Sequence, residues 1–260
     1  MPDRMRRARP ASIDAPMPGT VAFVCAMPLE LTPLKRRLSL EKTRVGSLDL
    51  YRGSLEGRSV VAIVTGMGGE LATKAVRHLL DALEVERVVV VGITGALAAE
   101  NAIGTLVLPE VVVNAATGAE YRPDRLGEGR PAGKMWTADE LITDLAAIAR
   151  LRADGVVSLD METAAIAEVC VARDLPWSVF RAISDRATDV SLDDEVFGLI
   201  NPDGSFRPGA IVAYFAQHPG RVPAMIRMAR DAKLAAGRAA AAAVAAVVSL
   251  PATGATPQDT

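Results

Sequence analysis

Three carboxylates hold the chemistry this chain could do: Glu30 in Ala26-Met27-Pro28-Leu29-Glu30, Glu162 in Asp160-Met161-Glu162, and Asp185 in Ser184-Asp185. Each follows a short apolar run with strand character, TVAFVCA, GVVSL and WSVFRAI. Two glycine-bearing turns, Thr65-Gly66-Met67-Gly68-Gly69 and Ile93-Thr94-Gly95-Ala96, follow two more such runs. In open α/β sheets ligands sit outside the C-terminal ends of the strands, so these five segments share one rim. No histidine or cysteine joins them. Such a rim suits carboxylate acid-base work on a small polar molecule.

The elements that must position these groups alternate. Apolar strand runs at Thr20–Ala26, Ser59–Gly66, Arg87–Gly92, TLVLPEVVV, GVVSL and WSVFRAIS, with DLYRGSLEG beside them, are separated by helical patterns. The helices are expected from Pro28, from Gly68-Gly69 through Leu83, around Leu141 to Leu151, and from Met161 to Arg173. The polar stretch from Asn114 to Lys134 reads as a loop. This alternation predicts a three-layer α/β/α sandwich around a central mixed, mainly parallel sheet. A long Ala-rich helix from Arg221 to Val248, bearing Arg221, Arg227, Arg230, Lys233 and Arg238, is appended to it. Four segments follow: a basic arm over 1–18, expected to be disordered, a core over 19–190, a C-terminal extension over 191–250 and a tail over 251–260.

Composition excludes several classes. Half of the 260 residues are hydrophobic, 4% are aromatic and the formal net charge is −2, which disfavours a nucleic-acid binder. Cys25 and Cys170 lie in apolar stretches without CxxC spacing and fit a reducing, cytoplasmic setting. With only His78 and His218, a His-based zinc site or a Ser-His-Asp triad is a poor fit. The arm carries arginines without the apolar stretch of a signal peptide. Ala239 to Val248 is about half of what a bilayer span needs.

CAMPLEL, VTGMGG, VVGITGAL, LDMETAAIAEVC and FRAISDRATD together resemble the nucleoside phosphorylase/nucleosidase family, most of all its methylthioadenosine/S-adenosylhomocysteine nucleosidase branch. The resemblance covers roughly Val21 to Asp189. It implies a purine nucleosidase that hydrolyses the N-glycosidic bond of a 5′-modified adenosine and releases adenine, working with water and without metal or cofactor. Relatives are dimers or higher oligomers, so a homo-oligomer is implied as well. By resemblance, Glu30 activates the attacking water, Glu162 clamps the ribose 2′- and 3′-hydroxyls, Met161 packs against the sugar and Asp185 protonates the purine N7. Ile93, Thr94, Gly95, Ser184, Leu141 and Ile142 complete the substrate contacts, and Arg181 and Ser184 support the last loop.

The physical reading of the residues agrees with those roles. An ionised carboxylate only accepts hydrogen bonds, which suits a diol clamp, and a place in the first turn of a helix would favour the ionised form of Glu162. Burial behind an apolar strand could raise the Asp185 pKa and keep a proton available.

Reaction type turns on Glu30. Phosphorolysis needs fixed cations and donors, and Val90 and Ile93 stand where phosphorylases of the family carry an arginine and a serine. The amides of Thr65 to Gly69 at a helix start still offer an anion site. Three departures mark this chain: Ile93 in place of a small polar residue, Glu140 and Leu141 where small and aromatic residues are expected, and the short Asn114–Lys134 connection. The alternatives are a purine nucleoside phosphorylase, including the hopanoid-associated type that acts on an adenosyl lipid, and a nucleoside-binding module without catalysis. Ser191 to Glu195 reads as a solvated acidic loop and His218 as a turn residue. The basic face of the last helix could meet solvent, anionic lipid or a neighbouring subunit.

Overall fold

The computed structural model describes residues 19–98, 100–140, 142, 144–186, 201, 205 and 207–251. The arm over 1–18, Leu141, the SLDDE stretch and the tail beyond 251 lie outside the described residues.

Four strands begin the chain: β1 (Val21–Cys25), β2 (Glu41–Val45), β3 (Leu48–Leu55) and β4 (Arg58–Val64), with helix α1 (Pro28–Leu38) after β1. Helix α2 (Gly69–Ala82) leads to the ten-residue β5 (Arg87–Ala96). The short strands β6 (Leu106–Val107), β7 (Val111–Asn114), β8 (Glu120–Tyr121) and β9 (Lys134–Thr137) follow. Then come α3 (Leu145–Ala153), β10 (Val156–Asp160), α4 (Thr163–Val171), β11 (Trp177–Arg186), α5 (Pro208–Gln217), a 3-10 turn at Pro219–Arg221 and α6 (Val222–Val248).

The sheet runs β2-β3-β4-β1-β5-β10-β9-β7-β8, with β11 on β5 and β6 on β11. Its centre is parallel: β4, β1, β5 and β11 run the same way. Antiparallel pairings extend it at β2–β3–β4, and one joins the tip of β5 to β10 through Gly95 and Ala96. Strand alternation divides the core. Ala22, Val24, Val61, Ile63, Val88 and Val90 face α2 and α4, while Val21, Phe23, Val60, Ala62, Val89 and Val91 face α1 and α6. Both faces of the parallel centre are therefore buried, as such sheets require, and the result is the three-layer sandwich read from the sequence.

Several boundaries move. Pro109 has no N–H to give a ladder, and TLVLPEVVV splits into β6 and β7. The edge strand β2 is polar and carries no apolar alternation that would reveal it. Helix α3 begins at Leu145, where the Asp144 carboxylate accepts from the amides of Ala146 and Ala147 at 3.2 and 3.1 Å; Ile142 precedes it. Strands β5 and β11 run on through Ala96 and Arg186, so Ile93, Thr94, Gly95, Ser184 and Asp185 belong to strands rather than to loops after them. Helix α5 is an element the apolar spacing did not disclose. The Ala-rich half of α6 is built into a layer of the sandwich, with Ala235, Ala239, Ala240 and Ala243 fully buried against the sheet.

Candidate active site

Strand β5 is the rail on which the site hangs. Ile93 donates its amide to Glu30 Oε1 at 2.8 Å, the Thr94 hydroxyl donates to Leu159 O of β10 at 2.7 Å, and Gly95 lies under Asp185. At Gly92 any Cβ would fall on the Glu30 carboxylate and the Arg181 guanidinium. Only a hydrogen at that position lets these two groups meet above the strand.

Glu30 is the third residue of α1, and its carboxylate turns back to the helix start. Its Oε2 accepts from the amides of Ala26 at 2.7 Å and Met27 at 3.0 Å. Three backbone amides thus converge on one carboxylate that is 1% exposed. Burial raises its pKa, against the lowering pull of Arg181 and of those amides. A carboxylate raised in this way is a better proton acceptor than one in water.

Arg181, inside the apolar strand β11, is 2% exposed and joins three acids. Its Nη1 donates to Glu30 Oε1 at 3.3 Å and to Ile93 O at 3.0 Å. Its Nη2 reaches Asp160 Oδ2 at 2.7 Å, Glu162 Oε2 at 3.4 Å and the Thr163 hydroxyl at 3.1 Å. Burial alone would lower its pKa, but Asp160, Glu30 and Glu162 together raise it and hold it charged. Asp160 is saturated by Thr137, by Arg181, and by the amide and hydroxyl of Thr163.

Glu162 is the residue before α4, not a member of its first turn. Its Oε1 accepts from the Gly68 amide at 3.0 Å. Its pKa is pushed up to about 7 by burial, helped by Asp160 and opposed by Arg181 and the Gly68 amide. Burial thus works against the ionised form that a helix start favours. Asp185 is half-buried and follows a bulge in β11, where the register passes from Ile183↔Thr94 to Asp185↔Gly95. The bulge turns its carboxylate toward Gly95, and the Ser184 hydroxyl donates to it.

The remaining expected contacts separate. Met161 is half-buried beside Glu162. Ile93 serves through its main chain, and the Thr94 hydroxyl is spent on β10. Ile142 packs with the small cluster of Leu97, Ile148 and Val156, and Leu141 lies outside the described residues. The anion site expected at Thr65–Gly69 is already filled: the Gly68 amide serves Glu162 and the Gly69 amide serves Asp139 at 3.3 Å. A groove of about 710 Å³ opens next to that contact, between α2 and the β7–β8 turn, with Lys74, Arg77 and Asp81 on its wall. None of Glu30, Glu162 and Asp185 lines it.

Sequence reasoning undervalued Arg181 and Asp160 and did not single out Thr163, Asp139 or Gly92. A signal existed for the first. An arginine between Phe180 and Ala182 in a buried apolar run must find carboxylates, because an unpaired buried charge is too costly.

The sequence profile described as "Phosphorylase superfamily" matches residues 20–145 and 124–217. Among similar proteins, the 5′-methylthioadenosine/S-adenosylhomocysteine nucleosidase of Oceanobacillus iheyensis is 26% identical over 67% of this chain and 90% of its own. That of Chromohalobacter salexigens is 31% identical over 64% and 84%. Among solved structures, S-adenosylhomocysteine nucleosidase from Streptococcus pyogenes superposes with a TM-score of 0.68 at 20% identity, over 90% of this chain and 99% of that one. Futalosine hydrolase of Helicobacter pylori gives 0.66 at 16% identity, over 87% and 97%. At these identities the structural likeness is one of fold.

Proposed function

The chain belongs to the phosphorylase superfamily and is an enzyme, and from that premise we propose that it hydrolyses the N-glycosidic bond of a 5′-modified adenosine and releases adenine. The observation that carries hydrolysis is the occupancy of the anion-binding groups. The amides of Ala26, Met27 and Ile93 all hold the chain's own Glu30, and Arg181 is divided among three carboxylates. A phosphate brought here would meet those acids with Arg181 already committed to them, whereas water needs only an acceptor.

In this reading Glu162 takes the ribose 2′- and 3′-hydroxyls in its ionised form and steadies positive charge on the sugar. Water attacks C1′ and gives its proton to Glu30. The C1′–N9 bond breaks with its electron pair passing to the base, while Asp185, entering protonated, gives its proton to N7. Neutral adenine and a 5′-modified ribose leave, and the proton on Glu30 returns to Asp185 through solvent. The nucleosidase names of the similar proteins support the same substrate class.

The test is a panel of adenosines with different 5′-substituents, assayed for free adenine with and without phosphate. Release in phosphate-free buffer is expected, falling about 10²–10⁴-fold in Glu30→Gln and Asp185→Asn. Release that requires phosphate, and yields a ribose 1-phosphate, would replace hydrolysis by phosphorolysis. Adenine binding with no turnover would leave a binding module.

A further inference from the structure

We infer that the hairpin of α5 and the first half of α6 is a docking surface for an anionic lipid bilayer. The course of α6 sets the stage. Its end lies at the start of the parallel strands, where Arg58 of β4 donates to Pro251 O and Ala246 stands against Gly127. Farther up, Arg238 donates to Gly104 O at 3.3 Å, and the Gly104 amide donates to Ile183 O, two residues before Asp185. The helix therefore runs antiparallel to β11. Its first sixteen residues, about 24 Å at 1.5 Å each, continue in the direction of the strands' C-terminal ends.

This part of α6 has its own small core. Tyr214 of α5 packs with Ala210, Ile211, Met225 and Met228, and Arg221 donates to the Tyr214 hydroxyl at 2.8 Å. With Met225 and Met228 turned to α5, the opposite strip of α6 is left outward. Pro223, Ile226, Arg227, Arg230, Lys233 and Leu234 fall within about one third of the helix circumference at 100° per residue, and all six are exposed. Ile226 is 64% and Leu234 45% exposed, among the largest values for big apolar side chains in the described residues. Arg227, Arg230 and Lys233 make no ion pair among the described residues.

Charge selects the occupant. From 207 to 238 the chain has Arg207, Arg221, Arg227, Arg230, Lys233 and Arg238 against the single carboxylate Asp231, in a chain whose formal net charge is −2. Branched apolar side chains interleaved with long cationic ones match an interface at which the apolar groups enter the acyl boundary and the cations stay with phosphates. The strip bears no aromatic platform for a nucleic-acid base. No described helix is long and apolar enough to cross the bilayer, so the contact is peripheral.

The experiment is co-sedimentation of the full chain with vesicles of phosphatidylcholine alone and of phosphatidylcholine mixed with phosphatidylglycerol. Retention on the anionic vesicles only, reversed by salt, is expected. Replacing Arg227, Arg230 and Lys233 together by Gln should weaken that partitioning on the order of a hundredfold. Ile226→Ser with Leu234→Ser should weaken it as well. These positions are exposed, and unchanged thermal unfolding of both variants would show that the fold is kept. Retention on neither vesicle, equal retention on both, or full retention of the charge variant overturns the inference. Lipid-free self-association lost in the same variants, or DNA binding that outcompetes the vesicles, also overturns it and assigns the strip to a second copy or to nucleic acid.

Discussion

One guanidinium holds three acids together, and that stoichiometry governs behaviour at the level of single residues. Removing Arg181 would leave Glu30, Asp160 and Glu162 buried with no cation, the situation in which breaking a buried pair costs about 3–5 kcal/mol. Arg181→Met is expected to lose that much stability in urea unfolding at pH 7 and to recover part of it near pH 5, where the acids can take up protons. Glu162 sets a second pH effect. Between the ordinary carboxyl value of 4.5 and about 7, the folded chain keeps a proton on Glu162 that the unfolded chain gives up. The folded state binds more protons in that window, so this group's contribution to stability falls as pH rises through it. Activity runs the other way. The proposed diol clamp needs the ionised acid, so under the proposed reaction kcat/KM for adenine release should climb through an apparent pKa near 7, and Glu162→Gln should remove that limb from the pH profile. Glu30 and Glu162 could be singled out because each comes shortly after a strand, whereas Asp160, the last residue of β10, was undervalued. Their protonation was not, since it depends on how many carboxylates share Arg181, and that sharing exists only once β5, β10 and β11 lie side by side.

Elements were legible where one face or both had to be apolar. β1, β4, β5 and β11 are runs of Val, Ile, Ala and Phe, and burial on both faces of the parallel centre demands that composition. β2 and β8 were not, because an edge strand of Glu, Lys, Thr and Arg is defined by its partner's ladder rather than by its own pattern. The strand placement of Ser184 and Asp185 was hidden for a related reason: a bulge is a property of a pair of strands. Helix α6 shows the opposite case, in which a bland sequence marks a demanding position. Ala239, Ala240 and Ala243 are fully buried because only small side chains let that helix settle on β5 and β11. Ala240→Leu is expected to cost about 1–3 kcal/mol by overpacking, read as a shift of the urea midpoint at unchanged slope. Leucine at the exposed Ala229 should leave the midpoint where it is.

At the scale of the whole molecule, two apolar layers enclose one sheet, and they differ in when they can be completed. The layer of α2 and α4 is made of chain that ends by Val171, before β11 begins. The other layer needs α1 from the beginning of the described chain and α6 from its end. Ending the chain at 221 should therefore leave the outer faces of β5 and β11 bare, and the truncated protein is expected to bind a hydrophobic dye and to aggregate where the full chain does not. Because a polypeptide is made from its N-terminus, every newborn copy passes through that same bare stage on the ribosome. The alanine-rich helix that looks from the sequence like an afterthought thus closes the sandwich after every strand has been made, and a nascent chain awaiting it is a natural client for a chaperone.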